Sequence, residues 1–148
     1  MPSSFELVLR GPLYSLNNKR SVFYSRREGR VVNVRQTKVR EMMDRMAWEA
    51  KQQMTVARRK GLRFPLTGDV RLIASIFYRT AASDLDDSML CNVLQLAGVI
   101  ESDNQIIQKV LAKHVDAKDP RAVVKIQVKM CADEEWKYNF ARICGIES

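Results

Sequence analysis

Four aspartates cluster in the middle of the chain: Asp84, Asp86 and Asp87 stand almost side by side, and Asp103 follows after a short interval. Carboxylate oxygens are the ligands that hard cations such as Mg²⁺ take. Hydrolysing a phosphodiester requires an activated water and charge stabilisation at the leaving oxygen, and bound Mg²⁺ supplies both. On an extended segment the spacing of Asp84 and Asp86 turns both side chains to one side. A helix of about 16 Å from Asp87 to Ala97 can then return the chain and bring Asp103 alongside. Asp84, Asp86 and Asp103 are therefore the candidate catalytic, metal-binding carboxylates, with Asp87 a further candidate metal ligand. A plainer account exists. Asp ahead of a helix is a favoured N-cap, and Asp103 and Asn104 are common turn residues. Against it, adjacent negative charges repel unless a cation or an arginine compensates them.

The elements that must position these residues are legible as patterns. Val70, Leu72, Ala74, Ile76 and Tyr78 alternate as a buried strand does, and the aspartates begin just past its end. Gly98 closes the following helix at a position that needs left-handed geometry. Gln105 to His114 and Ala122 to Met130 read as two further strands, separated by a polar turn at Asp116, Asp119 and Pro120, and antiparallel pairing between them is expected. Upstream, Phe5 to Leu9 reads as a strand, and Ser21 to Tyr24 and Val31 to Val34 as a hairpin. From Thr37 to Arg59, Val39, Met42, Met43, Met46, Ala47, Ala50, Met54 and Ala57 recur at helical spacing. Asp133 can cap a last helix carrying Trp136, Phe140 and Ile143, so residues 131–148 are expected to form a C-terminal helical extension. The order is neither all-helical nor a regular βαβ repeat. It predicts one α+β domain over residues 1–148 with a small mixed β-sheet packed by helices.

Charge is unevenly distributed. Residues 1–63 hold 15 Lys and Arg against 5 Asp and Glu, a balance of +10, while residues 64–148 hold 10 against 12, a balance of −2. A segregated basic half suits a polyanion, and nucleic acid is the expected partner because its phosphates bind through counterion release. The candidate DNA-binding residues are Lys19, Arg20, Arg26, Arg27, Arg30, Arg35, Lys38, Arg58, Arg59 and Lys60. A generally basic, solvated surface is the alternative account.

From Asp84 to Ile106 the chain reads DLDDSMLCNVLQLAGVIESDNQI. This run resembles the signature of the RusA-type Holliday junction resolvases: an Asp-x-Asp pair opening a helix, a glycine, then an Asp followed by Gln and an aliphatic residue. The early strand leading into Gly11, Pro12, Ser15, Asn17 and Asn18 is similar to that family's first loop. The order of elements corresponds over roughly residues 5 to 130. The resemblance implies a RusA-like fold and a homodimer that presents two Mg²⁺ sites (Mn²⁺ being the alternative ion) to the symmetry-related strands of a four-way junction. It implies metal binding by Asp84, Asp86 and Asp103, and Asp87 occupies a position usually held by Asn. Leu90 stands where the family carries a lysine on the first turn of the helix, and Arg79 and Lys109 are the candidates to replace that cation.

The expected activity is thus a Mg²⁺-dependent, structure-selective endodeoxyribonuclease cleaving Holliday junctions or related branched DNA, in DNA recombination and repair. A non-catalytic DNA-binding protein on the same scaffold is the alternative, and a basic assembly protein a third reading. Cys91, Cys131 and Cys144 are odd in number and lack any CxxC pair, so neither a disulfide framework nor a zinc site is expected. His114, the one histidine, reads as a solvated or partly packed strand residue. No phosphate-binding glycine loop or GxSxG motif points to an NTPase or esterase. No secretory signal or membrane span is read, so a cytoplasmic location in a bacterial or phage-infected cell is expected.

Overall fold

In this computed structural model the backbone is described for residues 4–14, 22–25 and 30–129, and side chains for 4–14 and 37–129. The elements run β1 (Ser4–Arg10), β2 (Val22–Ser25), β3 (Arg30–Asn33), α1 (Val34–Arg59), β4 (Val70–Tyr78), α2 (Ser88–Ala97), a short 3-10 helix (Asp103–Gln105), β5 (Ile106–Val115) and β6 (Arg121–Val128). The architecture is α+β, as expected from the switch between alternating and helical periodicity. The expected C-terminal extension, 131–148, lies outside the described residues.

A four-stranded mixed sheet in the order β1, β6, β4, β5 is the frame, and β2 and β3 form a separate antiparallel ribbon. β4 is central because it is apolar on its core face, with Val70, Leu72, Ala74, Ile76 and Tyr78 all buried. The unit β4, α2, β5 is a parallel crossover, and the helix supplies the return path that parallel strands need. α1 and α2 pack together over one sheet face. Met46, Ala50 and Met54 of α1 and Met89, Leu90, Val93 and Leu94 of α2 join Leu7, Leu9, Val124 and Ile126 in one core. Gly98 ends α2 with φ 82°, the left-handed geometry expected of it.

One expected pairing is corrected. β5 and β6 do not pair with each other: β6 lies antiparallel to both β1 and β4, whereas β5 runs parallel to β4 on its other side. The α2 crossover delivers β5 to one edge of β4. The apolar set Ala122, Val124 and Ile126 suits β6 to the interior position, where both neighbours bury it.

The free edge of β1 is closed by α1. Gln53 accepts from the Val8 amide and donates to the Val8 carbonyl, each at 2.8 Å, and Glu49 accepts from the Arg10 amide at 2.9 Å. Among the described residues no helix is long and apolar enough to cross a membrane.

Candidate functional site

Tyr78 is the last residue of β4 and its ring is buried. Its hydroxyl accepts from the Asp86 amide at 3.1 Å and donates to the Asp86 carbonyl at 3.5 Å, which pins the turn carrying the aspartates to the end of the strand. Burial raises the Tyr78 hydroxyl above its ordinary range, the bond to Asp86 opposes this, and the charges of Asp86, Asp87 and Asp84 add to it. Three of the four aspartates therefore act on one point.

The fourth is linked to them through Asp87. Lys109, on β5 in register with Leu72, sets its ammonium 2.9 Å from Asp87 Oδ2. The Cys91 thiol donates to the same oxygen at 3.3 Å. The bond to Asp87 holds the Lys109 ammonium above its usual range, against the desolvation that would lower it, and the Asp103 charge works in the same direction. The Cys91 thiol is pushed up to about 12, first by burial and then by Asp87, with a smaller push from Asp103.

Local structural duties are unequally shared. Asp86 Oδ1 accepts from the Ser88 amide at 2.8 Å and so satisfies the start of α2, whereas Asp87 makes no side-chain cap. At the second turn Ser102 and Gln105 form the capping box, and the Asp103 carboxylate is not needed for it. Asp84 and Asp103 are exposed, and neither carboxylate has a hydrogen bond or ion pair to a described residue. The capping account thus covers Asp86 and leaves Asp84 and Asp103 without a structural task. In donor chemistry these carboxylates suit a hard dication. Their convergence goes less far than the spacing suggests: among the described residues no three His, Cys, Asp or Glu side chains form a group that could hold a metal ion.

Leu90 is fully buried in the core, and of the two cations considered in its place Lys109 lies against an aspartate, Asp87. Arg79 is exposed and has no ion pair to a described residue. Lys109 was readable only as one of two alternatives, because nothing local says which strand pairs with β4. Tyr78 and Cys91 carry no signal in the sequence beyond their nearness to the aspartates.

The basic candidates divide. Lys38, Arg58, Arg59 and Lys60 are exposed on or just after α1. Arg58 places its guanidinium 5.4 Å from the centre of the Phe64 ring. Arg30 begins β3 and Arg35 lies in the first turn of α1, with only their backbone described, and Lys19, Arg20, Arg26 and Arg27 fall outside the described residues. His114 is an exposed strand residue, its ring stacked 4.6 Å from that of Phe77.

No protein-family model matches the chain, and no curated protein is similar to it.

Proposed function

We propose that the protein is a Mg²⁺-dependent, structure-selective endodeoxyribonuclease for branched DNA, four-way junctions foremost, built on a RusA-like scaffold and working as a homodimer. The observation that carries this reading is the placement of Asp86 and Asp87 at the end of β4 by Tyr78 and Lys109, with the exposed carboxylates of Asp84 and Asp103 left without structural partners.

Asp84, Asp86 and Asp103 would hold Mg²⁺, which supplies Lewis acidity toward the phosphate and a more acidic water. Asp86 is oriented by the Ser88 amide and by the Tyr78 hydroxyl on its backbone. Lys109 anchors Asp87 and offsets part of the negative charge that would otherwise repel a phosphate. In the net reaction water bonds to phosphorus, one ester P–O bond breaks, and the departing oxygen takes a proton. The exposed cations of α1 attract the phosphates of the DNA arms.

Leu90, buried where the resembled family carries a lysine, favours a second reading, a DNA-binding protein without catalysis on the same scaffold. The two are separated by incubating the protein with four-way junction, linear duplex and single-stranded DNA, in Mg²⁺ or EDTA, beside Asp84→Asn and Asp103→Asn. Nicking of the junction that requires Mg²⁺ and both carboxylates supports the nuclease. Junction binding with no nicking supports the second reading, and no DNA binding at moderate salt excludes both.

A further inference from the structure

Trp48 lies in the middle of α1 with 62% of its surface exposed, although a tryptophan at a helix centre is ordinarily core. At 100° per residue Lys51, Gln52, Thr55 and Arg59 fall within about 60° of it toward the C-terminal end of α1, and Glu41 and Asp44 do so toward the N-terminal end, all of them exposed. From Ala50 to Gly68 the chain carries Lys51, Arg58, Arg59, Lys60 and Arg63 and no acid. The opposite stripe, with Met46, Ala50, Met54 and Ala57, already fills the core, so Trp48 is not needed for packing.

We propose that Trp48 is the stacking platform of a single-strand binding ridge, on which an unstacked nucleobase lies while Lys51, one turn on, holds the neighbouring phosphate and Arg59, three turns on, a phosphate further along the strand. This rests on the DNA-binding part of the proposed function and adds what that DNA must offer. A base inside duplex stacking has no free face, whereas a single strand or an open branch point has one, and aromatic stacking with flanking cations suits it whatever its sequence.

A second copy is the competing occupant. An antiparallel two-fold contact centred on Trp48 would set the basic half of each stripe against Glu41 and Asp44 of the other protomer, and sedimentation separates it from the polyanion that the acid-free run from Ala50 to Gly68 attracts. The far sheet face is a weaker candidate for DNA, since Arg10 and Arg121 are engaged by Asp116 and Asp119 and Lys125 by Glu6.

The test uses the full chain carrying Trp136→Phe, so that Trp48 is the sole tryptophan. Its emission is followed while single-stranded DNA, four-way junction and blunt duplex are added, and Trp48→Ala and Trp48→Phe are compared in parallel. The expected result is quenching by single strands and by junction but not by blunt duplex, binding at least about tenfold weaker in Trp48→Ala, and near-full binding in Trp48→Phe. Bound DNA with unchanged Trp48 emission overturns the inference and leaves the nuclease reading standing. Quenching without Mg²⁺-dependent nicking supports the ridge and removes the nuclease. An oligomer that dissociates in Trp48→Ala, seen by sedimentation, assigns the stripe to a second copy and overturns it, as does failure to bind any DNA.

Discussion

Gln53 occupies the free edge of β1 as a strand would, its side-chain amide exchanging two hydrogen bonds of 2.8 Å with the backbone of Val8, 45 positions earlier in the chain. Sheet edges expose unpaired amides and carbonyls that invite other chains, and here a helix side chain closes one. Gln53→Ala is expected to cost about 1 to 3 kcal/mol, because both backbone groups lose their partner and are partly shielded from water. Thermal unfolding should show the melting temperature lowered by roughly 3 °C per kcal/mol. An unchanged melting temperature would mean that the edge is satisfied by water alone.

The Asp87 and Lys109 contact makes a prediction about cations. Lys109→Met removes the positive charge paired with Asp87, so Mn²⁺ used as a probe of the aspartates should bind severalfold more tightly than in the parent protein, while Lys109→Arg should leave affinity close to the original. Calorimetry or Mn²⁺ spin resonance reads this directly. Equal affinity in all three proteins would place the ion away from Asp87.

Leu90 offers a test of how firmly the first turn of α2 is seated in the core. It is fully buried in α2 against the core. Leu90→Ala should cost about 2 to 5 kcal/mol, and Leu90→Lys more than that, because an ammonium would enter an apolar interior without a partner. Denaturant unfolding of the two variants checks the order. A well-folded Leu90→Lys with near-parental stability would show that the first turn of α2 can open to solvent.

These positions also show where sequence reasoning succeeded. β4 was readable to its ends, Val70 and Tyr78, because a strand buried among apolar residues leaves an unbroken alternation bounded by Gly68 and the aspartate turn. α2 was readable through its closing glycine, and α1 through its methionine stripe, although it begins three residues earlier than the periodicity indicated, at Val34. Strand neighbours were not readable. Pairing of β6 between β1 and β4 is a long-range choice, decided by which strand best tolerates burial between two others, and a short connection at Asp116 to Pro120 looks the same locally as a hairpin. Lys109 was obscured for the same reason, since its approach to Asp87 exists only once β5 lies parallel to β4. The aspartates were readable as near neighbours in the chain, but which of them serve local structure required the Ser88 and Ser102 hydrogen bonds.

The turn between β5 and β6 carries its own pH dependence. Arg121 donates to Asp116 at 2.9 Å, and this bond, with backbone amides of Asp119 and Lys118, holds the Asp116 carboxyl below its ordinary value of 3.8. The folded state therefore favours the ionised form. The stabilisation is present above pH 3.8 and is lost as the pH falls through the lower folded value. Asp116→Asn should lower the melting temperature at pH 7 and narrow the gap from the parent protein as the pH drops toward 3. A constant gap across that range would mean that Asp116 acts through its turn geometry and not through its charge.

Salt dependence separates the phosphate-contacting cations from the rest of the surface. Arg58 and Arg59 end α1 and Lys60 follows, all exposed. Basic residues in a last helical turn also complement the helix dipole, so a change in stability alone would not reveal a binding role. Replacing all three by Ala should weaken DNA binding about equally for every sequence tested. It should also flatten the plot of log affinity against log salt by about 0.9 for each lost contact with a duplex phosphate. Anisotropy titrations at several salt concentrations give the slope, with a circular dichroism melt to separate folding from binding. A weaker affinity with an unchanged slope would mean that the triple variant perturbs α1 without removing phosphate contacts. A slope reduced by two or three such increments would assign the C-terminal end of α1 to the DNA backbone, on the same helix as Trp48.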